Sequence, residues 1–339
     1  MEKLQTHLLN IVTKNLEVPE DQLNSKERFI IIFDLKSPLS RILAEGYQKL
    51  LPHATNINFD EQNPEELKVK IKEFTPGKLF ILIESSSFRL SNFRWRLELF
   101  NRGHGVIEHA HLGSNLESET ENYIDTLEYR HPEYEKAGNY LKPLIEASKK
   151  ITVECEGTTL IYEGGMEEAK KNLADFRNMK NKGSGFPVGE VFSEPKHFDQ
   201  VNGEVMIYAF ANTQHRVIFP EKPFKLIVEK GCVHAENPPQ EFQEVIDMIK
   251  TENPDGLIRI REFGLGLNPG VSKTKRLTDI SAFERVKGLH VSLGMKHDIY
   301  RKKFGEKQVQ RFHVDIFPDV QKITIDDTVI FENGEYFIQ

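Results

Sequence analysis

Cysteine is scarce: only Cys155 and Cys232 occur in 339 residues. Two isolated thiols exclude a disulfide framework and a cysteine-ligated metal site, and they fit a reducing compartment. No run of about 18 apolar residues occurs, so no membrane-spanning helix is expected. The opening stretch MEKLQTHLL lacks the unbroken apolar core of a signal peptide, which makes the cytoplasm the expected location. An excess of basic residues is also missing, since the formal net charge is −7. That argues against a nucleic-acid partner, and short runs such as Lys180-Asn181-Lys182 and Arg301-Lys302-Lys303 read as solvated surface. Three catalytic signatures are absent as well. No Gly-x-Gly-x-x-Gly follows a strand, no Lys-Ser/Thr closes a glycine-rich loop, and no Gly-x-Ser-x-Gly elbow occurs.

What is present describes a globular protein of two domains. Hydrophobic residues make up 38% and charged residues 29%, and 23 phenylalanines supply apolar area for a substantial core. In the first part of the chain, continuous apolar runs (Arg28–Asp34, Lys78–Ile83) alternate with segments of helical spacing (Ser40–Leu51, Glu65–Phe74, Phe88–Phe100). Gly105–His109 reads as a further strand. The order predicts a parallel sheet flanked by helices. Residues 117–149 read as helix-rich. From Ile151 the texture becomes strand-rich, with short runs at 151–155, 158–162, 205–209, 216–219, 224–228 and 257–260 and one helix at Glu241–Lys250. The expected fold is α/β: an N-terminal parallel-sheet α/β domain over 1–150, then a mixed α+β domain rich in antiparallel strands over 151–339.

Four short segments carry the chemistry. In Phe312-His313-Val314-Asp315-Ile316-Phe317, alternation places His313 and Asp315 on one strand face, where an imidazole and a carboxylate reach a common cation. The plain alternative is a solvent-facing strand. Glu262 stands at the end of an expected strand and before the glycines Gly264, Gly266 and Gly270, which allow close backbone approach or merely form a turn. Glu190 lies between apolar residues in a Pro/Gly-bounded segment. A carboxylate desolvated there needs a partner or a cation, whereas one facing solvent on an edge strand needs neither. His290 sits on the apolar strand Gly288–Gly294, where a lone histidine is ordinarily a hydrogen-bonded core residue.

Taken in order, FPVGEVF, EFGLGLNPG, GLHVSLG and FHVD resemble the metallo-aminopeptidases of the aminopeptidase T and aminopeptidase S group. The resemblance covers roughly residues 150–330 and extends more loosely to the N-terminal domain. It implies that Glu190 ligates one metal, that Glu262 bridges two, and that His290, His313 and Asp315 complete the set. Three carboxylates and two imidazoles suit two divalent cations such as Zn, Co or Mn. Such a pair ~3.5–4 Å apart activates a bridging water and polarises a peptide carbonyl. The expected enzyme is a metal-dependent aminopeptidase acting on peptides or small molecules, with Glu262 also influencing the proton of the water. A homodimer is implied by the resemblance only.

The sequence departs from the family at one catalytic position. A tyrosine expected seven residues after the histidine matching His290 is here His297, which can donate a hydrogen bond in its place; Tyr300 is a nearby substitute. Two other readings follow. The same fold holds dihydroxypyridine ring-opening dioxygenases with a single Fe(II), although retention of Glu190 and His290 exceeds what one iron needs. A metal-binding protein without catalysis is the other. His104, His109 and His111 in RGHGVIEHAH form a separate cluster, with His109 and His111 expected on one strand face as a possible second metal site.

Overall fold

The computed structural model describes residues 2–86, 95–176, 182–252, 255–294, 300 and 312–339. Two compact units divide the chain. One comprises Met1–His131, Ala174–Val188 and Gly270–Ala282, the other Pro132–Leu173, Gly189–Pro269 and Phe283–Gln339. Each unit is built from three stretches, whereas the sequence reading divides the chain once, near residue 150.

The first unit is the expected parallel sheet. Its strands β1 (Phe29–Phe33), β2 (Thr55–Asn58), β3 (Leu79–Ile83) and β4 (Gly105–His109) run in the order β2-β1-β3-β4, and a late strand, Gly183–Gly185, joins β4. All four pairings are parallel. The two continuous apolar runs became β1 and β3, buried at every position because helices cover parallel sheets on both faces. Helix Pro38–Leu50 begins where Ser37 and Ser40 exchange side-chain and backbone hydrogen bonds, with Pro38 in its first turn. Asn63 caps helix Pro64–Glu73 in the same manner, accepting from Glu65 and Glu66. On one face Ile30, Ile32, Ile57, Phe80, Leu82 and Val106 pack with Leu67, Ile71, Trp95 and Leu99 into a single core. Helix Trp95–Asn101 matches the second half of the expected Phe88–Phe100 helix; residues 87–94 lie outside the described residues.

The second unit is dominated by one sheet of fourteen strands, every pairing of which is antiparallel. The expected strand 205–209 is longer, Val201–Ala211, and 224–228 became Phe224–Glu229. One expectation is corrected. The strand predicted at 257–260 begins only at Ile260 and runs through both glycines to Gly266. Gly264 and Gly266 are therefore strand residues, which weaken a strand unless a neighbouring group needs the space they leave. No described helix is long and apolar enough to cross a membrane.

Ile81, fully buried in the middle of β3 between β1 and β4, faces away from the Phe80 and Leu82 core and tests packing on the other face of the sheet. Ile81→Ala is expected to cost about 2–5 kcal/mol, read from the urea midpoint. A loss below about 1 kcal/mol would mean that this strand is not packed on both faces.

Candidate metal centre

Four adjacent strands of the second unit carry the five sequence-predicted side chains, in the order His313–Pro318, Gly288–Gly294, Ile260–Gly266, Glu190–Ser193. Directly paired residues project to the same sheet face. Asp315 pairs with Ser292 and His313 with Gly294. His290 pairs with Gly264, and Glu190 pairs with Gly266. The registers thus turn Glu190, His290, His313 and Asp315 to one face. Glu262 shares that face by alternation, two residues before Gly264, and sits beside a bulge: between Ile260, opposite Leu293, and Phe263, opposite Val291, its strand holds one extra residue. Bulges re-aim side chains at the cost of a ladder bond. The Glu262 N–H released from the ladder donates to Ser292 Oγ at 3.0 Å.

The glycines serve this assembly. A Cβ on Gly264 would lie 2.1 Å from His290 Nε2, so the imidazole occupies the space a side chain would take. A Cβ on Gly266 would meet the backbone of Arg285 and Val286, at 2.0 Å from the Val286 carbonyl oxygen.

The five groups form two halves that share Glu262. His290 Nε2 lies 3.3 Å from Glu262 Oε1 and 3.2 Å from Glu190 Oε1. His313 Nε2 lies 3.9 Å from Glu262 Oε2 and 3.1 Å from Asp315 Oδ1. Each imidazole therefore has its own carboxylate and faces one oxygen of Glu262. His290 is fully buried, while the His313 side chain keeps 26% exposure, so the His313 half is the more open.

Three further residues belong to the centre, and none was singled out by sequence. The Arg285 guanidinium donates to Glu190 Oε2 and lies 2.7 Å from Glu284 Oε1. Glu284 also approaches His290 and Asp315. Ser292 holds the Glu262 backbone. Ser292, inside GLHVSLG, and the Arg-Glu pair, outside the recognised strings, carry no local signal; strand register brings in the serine, and the segment that passes Gly266 brings in the pair.

The charges perturb one another. Burial opposes charge on His290, yet the carboxylates of Glu190 and Glu262 outweigh it and hold its pKa well above 6.5. Burial likewise opposes charge on His313, but Asp315 and Glu262 push it up to about 10. For Glu190, burial favours the neutral acid, but Arg285 and His290 keep it below the usual carboxylate range. His313 does the same for Asp315. On Glu284 burial prevails over Arg285 and pushes the carboxyl up to about 8.

The donor set fits a divalent cation. It offers only carboxylate oxygens and imidazole nitrogens, and ligand atoms of Glu190, Glu262 and His290 lie within 4.8 Å of one another, as do those of Glu284, His290 and Asp315. Asp315 Oδ1 is buried and faces His313 Nε2 at 3.1 Å. His290 Nδ1 is also buried without a hydrogen-bond partner. A buried carboxylate oxygen is costly unless a positive charge, an imidazolium or a metal ion, meets it.

Two solved structures share this architecture. The 2,5-dihydroxypyridine dioxygenase of Pseudomonas putida KT2440 matches with a TM-score of 0.64 and 13% identity over 99% of this chain and 97% of that one. AmpT (aminopeptidase T) of Thermus thermophilus matches with a TM-score of 0.62 and 15% identity over 99% of both chains. The chain has an aminopeptidase T-like fold. Both neighbours are enzymes, and the likeness is one of fold. No protein-family model matches the sequence, and neither does any curated protein.

His297 lies outside the described residues. The Tyr300 hydroxyl donates to the Glu168 carbonyl oxygen at 2.9 Å, and burial, with the charges of Glu194 and Glu262, raises its pKa. The histidine cluster of the first unit does not converge. His104 precedes β4 and packs on Phe80 at 4.9 Å, whereas His109 ends the strand. His109 is enclosed between the hydroxyls of Tyr47 (2.9 Å) and Tyr123 (3.0 Å), and burial pushes it down to about 3. His111 has left the strand in a left-handed conformation at φ 57°, so it shares no strand face with His109.

Gly264→Ala is expected to displace the His290 ring and weaken divalent-cation binding about 10–100-fold by calorimetric titration, the range seen when ligand orientation is lost. Wild-type affinity in this variant would show that the ring is not held by that gap. The raised histidines fix a second expectation. In metal-free protein their contribution to stability is present below pH 6.5 and fades as pH climbs towards about 10. The depressed Glu190 and Asp315 contribute above the ordinary carboxylate range and lose that contribution on acidification. Urea midpoints of chelator-treated protein should therefore fall between about pH 6 and about pH 9, and cation-loaded protein should lack this decline. Parallel pH profiles with and without cation would contradict the coupling.

Proposed function

We propose that the chain is a metal-dependent aminopeptidase. Two divalent cations, Zn, Co or Mn, are held by Glu190, Glu262, His290, His313 and Asp315, and together they supply an activated water and a polarised carbonyl. The observation that carries this reading is the division of Glu262, one oxygen towards each imidazole at 3.3 and 3.9 Å. A carboxylate so divided is the bridge that a paired site needs. The aminopeptidase T-like fold and the enzymatic nature of both structural neighbours support the reading.

The residues have separate tasks. His290 and Glu190 form the buried half, shielded from water. His313 and Asp315 form the open half, from which a peptide N-terminus approaches. Glu262 lies between them and is placed to take a proton from the attacking water. Ser292 keeps Glu262 in position through its backbone N–H. His297 remains the candidate for donating to the developing oxyanion.

One observation favours a second reading. Arg285 already neutralises part of the charge on Glu190, which leaves the cluster closer to the needs of a single ion, as in a mononuclear Fe(II) dioxygenase.

Metal analysis combined with turnover tests these readings. The aminopeptidase reading expects up to two equivalents of Zn, Co or Mn and chelator-sensitive release of N-terminal residues from a peptide panel. Glu262→Ala is expected to lose metal pairing together with activity, by about 10³-fold or more. One equivalent of iron with oxygen uptake would replace the reading with the dioxygenase. Bound metal without turnover of any peptide would leave a non-catalytic metal protein.

A further inference from the structure

We propose that Arg285 is a built-in counter-ion that ranks the two halves of the centre: the His313–Asp315 half takes a divalent cation tightly, and the His290–Glu190 half takes its cation only weakly. This rests on the two-cation reading above and specifies how that site fills.

The first argument is occupancy of ligand atoms. Both oxygens of Glu190 are engaged, Oε2 by Arg285 and Oε1 by His290 at 3.2 Å. In the other half, Asp315 Oδ1 likewise faces an imidazole, His313 Nε2 at 3.1 Å, but no guanidinium donates to Asp315 among the described residues. A cation entering at Asp315 meets two side chains that can both become ligands, whereas one entering at Glu190 competes with a guanidinium that cannot shed its proton.

Charge is the second argument. Four carboxylates face the centre: Glu190, Glu262, Glu284 and Asp315. Two divalent cations would balance four ionised carboxylates, charge for charge, if no other charge were present. With Arg285 in the same enclosure, one cation balances the charge to within a single unit and a second overshoots. Arg285 keeps 11% side-chain exposure and Glu190 5%, so water screens this imbalance poorly.

The arginine is also held where it is. Its backbone carbonyl oxygen accepts from the Asn268 N–H at 2.9 Å, and its chain passes over Gly266, the register partner of Glu190. A side chain on Gly266 would push that segment away. The guanidinium is therefore delivered to Glu190 by the fold, and its second arm is committed to Glu284 at 2.7 Å. That commitment marks Arg285 as a positioning and charge-setting residue rather than a substrate-binding group.

The test is calorimetric titration of chelator-treated full-length protein with Mn²⁺ or Zn²⁺, with bound metal counted by mass spectrometry. Wild type is expected to bind one ion tightly and a second about a hundredfold more weakly. Arg285→Met is expected to narrow that gap at least about tenfold by tightening the second ion, and Arg285→Lys to restore it. Should Arg285→Met fail to fold, Glu190→Gln serves: the tight ion is retained and the weak one lost. Two ions of equal affinity in wild type, an unchanged gap in Arg285→Met, or loss of the tight ion in Glu190→Gln would overturn the role of Arg285 while leaving the metal reading intact. No binding at all, or one ion in both wild type and Arg285→Met, would remove the two-cation reading along with it.

Discussion

Enclosing Glu190, Glu262 and Asp315 on one sheet face costs several kcal/mol for each charge unless opposite charge is enclosed with them. Much of the second unit's local design meets that demand. Two imidazoles stand against the carboxylates at 3.1–3.9 Å, and a guanidinium crosses to Glu190 and Glu284. The perturbed pKa values are the same fact seen from each partner. Histidines are pushed up and their paired carboxylates down because each stabilises the charge of the other, while Glu284, less well served, drifts towards neutrality. A cation entering a cluster in this condition would displace protons, so affinity, stability and pH would be linked through the same few atoms.

Strand pattern was well legible in the sequence, because burial on both faces of a parallel sheet leaves continuous apolar runs and Ser37 and Asn63 mark helix starts. His313 and Asp315 were legible as a pair for the simple reason that period two puts them side by side. Glu262 was legible only as a residue before glycines, and those glycines misled: they read as a loop but are strand positions whose missing side chains admit the His290 ring and the Arg285 backbone. That requirement is set by neighbouring strands, and one strand's sequence does not display its partners. The same reason hid Arg285, Glu284 and Ser292. In the first unit, the three histidines looked like a group because they are close in sequence, yet β4 sends His104 and His109 to opposite ends.

The bulge at Glu262 shows how local irregularity becomes chemistry. A regular strand would have bonded the Glu262 N–H into the ladder and fixed the side chain by strict alternation. One inserted residue interrupts the pairing there, Glu262 still shares the His290 face by alternation with Gly264, and the Ser292 hydroxyl accepts its N–H from the neighbouring strand. The carboxylate presents one oxygen towards each imidazole, at 3.3 and 3.9 Å. A single hydroxyl thus links backbone satisfaction to the placement of the bridging group, which is why its contribution would be read in metal binding before it was read in the fold.

Because the five candidate ligands stand on adjacent strands in fixed register, most of the cost of assembling them is met by folding of the sheet rather than by the incoming ion. Discrimination between one cation and two then depends less on moving backbone than on the charge already present. Arg285 contributes one such charge, delivered from outside the ligand strands by a segment that Gly266 allows to pass. Exchange of that side chain would change the electrostatic balance of the centre without changing strand order, register or core. A fold of this kind can host a paired centre or a single-ion centre through substitutions at its rim, and likeness of architecture therefore says less about the reaction than does the identity of the residue paired with Glu190.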